Sequence, residues 1–270
     1  MAKRLIILLF LSFGFFAANA QGDSLFQLLR SFEGDIVDVA VDHLDQVYFI
    51  SSQGQVKKLS ATGDSLAVYN GLRQYGNLFS MDVSNPLRPL LFYRDYATVV
   101  LLDRFLAPIA SINLKKYNIL QPASAGLSYD NNIWVFDEWD NKLKRINEAG
   151  NLLLETPDFR TAFSEPLRPQ QIISDNGLVY LADTLRGIFV FDNYGAFKKS
   201  LPVKGWNSLW IRGNNVVTIH NDYLQSYNPV TFTQRQGRLP AFRPYLHAVT
   251  NGSRLISVFG NRAEVYQYRF

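Results

Sequence analysis

Apolar positions recur along the chain in a fixed phrase: an apolar residue, two variable residues, a second apolar residue, then usually a polar turn residue. The copies are Val56 to Leu59, Val99 to Leu102, Leu143 to Ile146, Ile188 to Phe191, Leu224 to Tyr227 and Val265 to Tyr268. They are spaced about 36 to 45 residues apart, the period of propeller blades built from β-strands. Each phrase follows a β-branched and aromatic segment of strand character: Val47 to Ile50, Leu90 to Tyr93, Ile133 to Phe136, Leu178 to Leu181, Val216 to Ile219 and Leu255 to Val258. A shorter apolar stretch precedes these, as in Ile36 to Val41, Phe79 to Val83, Gln171 to Ser174 and Leu209 to Ile211. A Gly or Asn turn and a further strand follow, as in Gly63-Asp64 into Leu66 to Tyr69 and Gly150-Asn151 into Leu152 to Leu154. The pattern predicts an all-β fold, a six-bladed β-propeller with four antiparallel strands per blade.

The ends predict closure of that ring. The last repeat stops at Phe270 without a fourth strand, whereas Gly22 to Phe32 reads as a turn and fourth strand placed at the wrong end of the chain. Gly22-Asp23-Ser24-Leu25 even repeats the tetrapeptide Gly63 to Leu66. Pairing the N-terminal strand with the C-terminal blade satisfies backbone groups that an open sheet edge would expose.

Two matching units, Asn132 to Asp137 with Leu143 to Gly150 and Gly177 to Asp183 with Ile188 to Gly195, resemble the repeat of NHL and SMP-30-like six-bladed propellers. In the other units the strand-end Asp is replaced by Ser51, Arg94, Asn221 or Phe259. The resemblance implies a fold and no particular activity. An outer-membrane β-barrel is the rival all-β reading, because Val265 to Phe270 alternates aromatics up to a terminal Phe. Its strands would have to be about 9 to 11 residues long with one lipid-facing side, and the segments here are shorter, with consecutive apolar residues.

Lys3 and Arg4, the apolar run Leu5 to Phe16 and the small residues Ala18 and Ala20 predict a cleaved signal peptide over residues 1–20 and a single propeller domain over 21–270. Export to a periplasm or the extracellular space is the expectation. The run is shorter than the roughly twenty residues that a helical membrane span needs. Loss of Lys3 and Arg4 leaves 25 of the 27 basic residues against 23 acidic ones, so the formal charge falls from +4 to +2. That near-balance offers no nucleic-acid footprint. The chain has no cysteine, so burial has to stabilise it without cross-links.

No catalytic set emerges. The two Gly-Asp-Ser-Leu segments spell an esterase tetrapeptide, but that family's Asp-x-x-His partner is missing and Pro244 stands where its Asp would be relative to His247. A Gly-Asp turn entering a strand explains both copies. His43, His220 and His247 lack zinc spacing. The expectation is no cofactor. SMP-30-like enzymes hold a divalent cation at the central channel, and the alternative implied by that resemblance, a calcium-dependent lactonase or esterase, would use Asp38, Asp82 and Asp175. The acidic group Asp137, Glu138 and Asp140 reads as a solvated loop.

Binding is written in the connections. Loops from fourth to first strand and bends from second to third share one face, and here the fourth-to-first loops are the long ones: Tyr69 to Asn77, Asn113 to Gln121, Thr156 to Pro169, Pro202 to Asn207 and Arg238 to His247. They gather Tyr75, Tyr117, Trp139, Phe159, Trp206, Tyr223 and Tyr245 with Arg160, Arg168, Arg186 and Arg243 as candidate binding residues, and about half of the aromatics are expected to pack between blades. Aromatic and Arg side chains dominate protein interfaces. The function predicted is a non-enzymatic exported module that binds a protein, or a carbohydrate-bearing partner, through this face. Two Pro-Leu-Arg-Pro segments, Pro86 to Pro89 and Pro166 to Pro169, are expected to stiffen the leads into blades two and four.

Overall fold

The computed structural model describes residues 25–240 and 247–269, and it contains six separate four-stranded antiparallel sheets. The expected signal segment lies outside the described residues. The chain opens with β1 (Phe26–Glu33). Blade 1 holds β2 (Asp38–Val41), β3 (Val47–Ile50), β4 (Gln55–Leu59) and β5 (Ser65–Asn70). Blade 2 holds β6 (Ser80–Asp82), β7 (Leu90–Tyr93), β8 (Thr98–Leu102) and β9 (Pro108–Asn113). Blade 3 holds β10 (Pro122–Leu127), β11 (Ile133–Asp137), β12 (Lys142–Ile146) and β13 (Leu152–Glu155). Blade 4 holds β14 (Gln171–Asp175), β15 (Leu178–Asp183), β16 (Gly187–Asp192) and β17 (Phe197–Leu201). Blade 5 holds β18 (Ser208–Arg212), β19 (Asn215–His220), β20 (Tyr223–Tyr227) and β21 (Gln234–Arg238). Blade 6 holds β22 (His247–Thr250), β23 (Arg254–Phe259) and β24 (Arg262–Tyr268), and β1 completes it.

The ring closes as the termini predict. β1 runs antiparallel to β24 with Phe26 opposite Tyr268 and Glu33 opposite Arg262, broken by one register shift between Leu28 and Arg30. Six separate sheets replace the single continuous one that a membrane barrel requires, so the barrel alternative fails.

Successive side chains of a strand point to opposite faces, and here both faces meet a neighbouring blade. In β7, Leu90 and Phe92 join Leu127, Ile133 and Val135 of blade 3, while Leu91 and Tyr93 join Tyr48, Ile50 and Val56 of blade 1. That is why the second strands read as unbroken apolar runs. At the seam between blades 3 and 4 the inner strands lie close together. β10 is built from small residues, and a Cβ at Gly126 would stand 2.7 Å from the carbonyl oxygen of Ile172, so only glycine lets the two inner strands approach this closely.

Polar side chains also tie the blades together. Asp82 Oδ2 accepts the Leu127 N–H at 2.7 Å, linking blades 2 and 3, and Asp175 Oδ2 accepts the Gly213 N–H, linking blades 4 and 5. Asn251 Nδ2 donates to the Asp42 carbonyl at 2.7 Å and to Asp45 Oδ1 at 2.8 Å, linking blades 6 and 1. The proline segments divide. Pro166 to Pro169 leads into β14 as expected, but Pro86 to Pro89 lies between β6 and β7, inside blade 2, and is a hairpin connection.

Candidate binding face and channel mouth

Each blade's meander places its second-to-third bend on the same face as the fourth-to-first loops. Four consecutive bends raise a large side chain into solvent: Tyr96 (58 % exposed) on blade 2, Trp139 (64 %) on blade 3, Leu185 (81 %) on blade 4 and Tyr223 (41 %) on blade 5. Two of these tips stand on buried carboxylates. Asp137 accepts the N–H groups of Leu120, Gln121 and Trp139 at 2.9 to 3.3 Å, and Asp183 accepts those of Arg168, Leu185 and Arg186 at 2.9 to 3.2 Å. The repeat's strand-end Asp therefore pins the incoming long loop and the outgoing bend at once.

Asp137 corrects the solvated-loop expectation. It is fully buried and meets the Lys144 ammonium at 2.9 Å, and Lys144 also meets Asp140 at 2.7 Å. Burial alone would lower the Lys144 pKa, but the hydrogen bonds and charges of Asp140 and Asp137 outweigh it and hold the ammonium above its ordinary value. The Gly-Asp-Ser-Leu copy at 63 to 66 is a turn, with Asp64 bonded to Thr62 and Ser60 and with Ser65 opening β5.

The predicted binding residues separate by burial. Trp139 and Tyr223 are exposed, as is Tyr117, whose ring lies against the Gly150 turn. Phe159 and Trp206 are buried. Asp158 caps a short 3-10 turn that swings Phe159 inward, between Phe136 (6.3 Å) and Phe191 (4.9 Å). Tyr75 is half-buried against Tyr93 at 5.2 Å. Arg160 is held by Asp158 through its Nε and Nη2, and Arg186 donates to the carbonyls of Glu165 and Pro166, so both forks brace their own loop. Arg168 is exposed. Arg243 and Tyr245 lie outside the described residues.

Aromatic and Arg content does not reveal Leu185 and Leu120 (45 % exposed), which also stand on this face. The signal was present: Leu185 interrupts a polar bend, outside any strand alternation. On the opposite face Leu44, Leu87, Phe105, Tyr129, Tyr194 and Phe232 also stand exposed, on the short turns.

A hollow of about 380 Å³ opens between blades 2 and 3 on the long-loop face. Arg94, Lys115, Leu120, Gln121 and Glu138 line it, and its rim carries the bends of Tyr96 and Trp139. The central channel is larger, about 580 Å³, and the inner strands of all six blades contribute to it. Asp38, Asp82 and Asp175 all line the channel but do not form a cluster. Asp38 starts its strand at the long-loop end, where Oδ1 lies 3.2 Å from His247 Nε2. Asp82 and Asp175 finish theirs at the other end, facing backbone N–H groups of the next blade. Burial pushes the Asp175 carboxyl above its usual range, against the opposing Gly213 N–H. Among the described residues, no group of three or more His, Asp or Glu side chains is placed to hold a metal ion.

No family model and no curated protein matches the chain. Solved structures do. A catalytically inactive virginiamycin B lyase from Staphylococcus aureus with quinupristin superposes with a TM-score of 0.62 at 8% identity, covering 90% of this chain and 100% of that one. The WD40 domain of Neurospora crassa Pan2 gives 0.59 at 12% identity, covering 91% and 96%. A chain of the Mitotic Checkpoint Complex gives 0.57 at 10% identity, covering 100% and 99%. At such identities the likeness is one of fold: this chain is a six-bladed β-propeller, an architecture found among enzymes and among modules of protein assemblies.

Proposed function

We propose that this protein is an exported, non-enzymatic propeller of the NHL-like kind that docks a partner protein on its long-loop face. The observation that carries the reading is the hollow between blades 2 and 3, lined by Leu120 with Arg94, Lys115 and Glu138, two of its wall residues belonging to the bends that expose Tyr96 and Trp139. An exposed aromatic beside a concavity, standing as Trp139 does on a bend fixed by a buried carboxylate, is the preorganised anchor that protein interfaces use. A chain of the Mitotic Checkpoint Complex shares the fold, so the architecture is compatible with a place in a protein assembly.

The test is photocrosslinking from position 96 or 139 of the mature chain in its native envelope fraction, with position 232 on the opposite face as the control. One protein captured from the first two sites, and lost in the Tyr96→Ala/Trp139→Ala double variant with its melting temperature unchanged, is the expected result. Capture from position 232 alone would refute the reading.

A further inference from the structure

Several cations on the long-loop connections are already satisfied within the fold. Lys142, Lys144, Arg160 and Arg186 each lie within ion-pair reach of a carboxylate. Arg94 and Lys115, the two cations that line the hollow between blades 2 and 3, meet none among the described residues. Other unpaired cations stand on this face, Lys116 and Arg168 among them, but these two share one concavity. Both are exposed, and both are steadied from below. The Arg94 guanidinium lies 3.8 Å over the Phe79 ring, which is itself set edge-on against the buried Phe92. Lys115 belongs to the short 3-10 turn Leu114–Tyr117, which Asn113 caps by accepting the Lys115 N–H and which the fully buried Leu114 anchors. The hollow shares no lining residue with the central channel.

We infer that this hollow receives a single carboxylate of the partner protein, an Asp or Glu side chain presented on a loop or an extended segment. The inference rests on the reading of this face as a docking surface and names the chemistry that the surface selects. Glu138 is the one carboxylate of the lining, and on the blade 3 wall it accepts the Gln121 amide at 3.2 Å. Two cations against one carboxylate leave one positive charge uncompensated, and one incoming carboxylate cancels it. A phosphoryl group, carrying about −1.5 to −2 charge, would overshoot and meet Glu138. Asp95, the other acidic residue of the Arg94 bend, is exposed and takes no part in the lining. A guanidinium offers its N–H groups as a fork that matches a carboxylate, and the ring beneath Arg94 restricts that fork before a partner arrives. Leu120 in the lining and the exposed Trp139 on the neighbouring bend supply apolar contact beside the charge, which shields such a pair from water.

Retention of short peptide pools on the immobilised mature chain tests it, the pools being randomised except for a fixed central Glu, Gln, Lys or phosphoserine. The Glu pool is expected to be retained about tenfold over the Gln pool, the worth of a charge-assisted hydrogen bond. Arg94→Gln/Lys115→Gln is expected to abolish that advantage with an unchanged melting temperature, since both side chains are exposed. Arg94→Glu/Lys115→Glu is expected to turn the preference towards the Lys pool, a reversal that a merely structural role would not produce. Equal retention of the Glu and Gln pools by the parent would overturn the inference, as would an advantage that survives both variants or a phosphoserine pool retained above the Glu pool. Crosslinking from position 139 keeps the two readings apart. A partner captured equally by the parent and by Arg94→Glu/Lys115→Glu overturns this inference and spares the docking reading, whereas no capture by the parent together with no retained pool overturns both.

Discussion

Replacing Asp137 with alanine removes one carboxylate that serves four donors: the Lys144 ammonium and the N–H groups of Leu120, Gln121 and Trp139. Breaking a buried ion pair by deleting one partner costs about 3 to 5 kcal/mol, because the surviving charge stays buried. Asp140 remains 2.7 Å from Lys144 and offsets part of that loss, which sets the expectation near 3 kcal/mol. For a domain of this size each kcal/mol moves the melting temperature by about 2 to 4 °C, so Asp137→Ala should melt about 6 to 12 °C lower. Thermal unfolding followed by circular dichroism reads this directly. Asp140→Asn is the control, since that carboxylate is partly exposed and Lys144 keeps Asp137; its cost should stay near 1 kcal/mol, about that of a surface pair. An Asp137→Ala melt within about 2 °C of the parent would show that the carboxylate does not organise the bend, and the argument that Trp139 is preorganised would fall with it.

Gly126→Ala should destabilise by about 1 to 3 kcal/mol, because its Cβ would press on the Ile172 carbonyl and part blades 3 and 4; a lower denaturant midpoint with unchanged slope checks it. Trp139→Ala should stay within about 0.5 kcal/mol of the parent in the same assay, as an exposed side chain does. Burial first, then the neighbouring groups, raises the Tyr48 and Tyr93 hydroxyls above their ordinary value of 10.0, so the fold keeps these protons while the unfolded chain releases them. The stability they contribute is complete below pH 10 and should fall above it by about 1.4 kcal/mol per pH unit for each hydroxyl; equilibrium unfolding between pH 9 and 11 measures the slope, and Tyr48→Phe should lower it by one such increment while the other buried tyrosines, Tyr69, Tyr180, Tyr266 and Tyr268 among them, still contribute. Deleting residues 25–33 strips β24 of its partner, and the expected outcome is aggregation or loss of a cooperative melt.

Ring closure was legible because strand periodicity, turn residues and a displaced fourth strand depend on local spacing alone. Burial of the loop aromatics was not. Phe159 and Trp139 both sit in polar connections, and what separates them is a cap at Asp158 that turns one ring inward and an anchor at Asp137 that lifts the other outward. Asp137 looked solvated because its neighbours Glu138 and Asp140 are acidic, while its counter-ion arrives from the adjacent strand across a pairing that the sequence order conceals. The channel mouth was hidden for a related reason: Asp38, Ser80, Gln171, Ser208 and His247 are far apart in sequence and share only their position at the head of an inner strand.

The pairing of β1 with β24 also sets a timetable for biogenesis. β1 has no sheet to join until β24 emerges, and Ser31 and Arg262, which bond across this junction, are 231 positions apart. Five blades can gain their own hairpins as translation proceeds, but blade 6 must wait for both β1 and β24. Any factor that holds or trims the leading end before synthesis finishes therefore controls when the ring locks, and a chain stalled short of its final strand keeps an open seam that invites capture by a second unfinished copy.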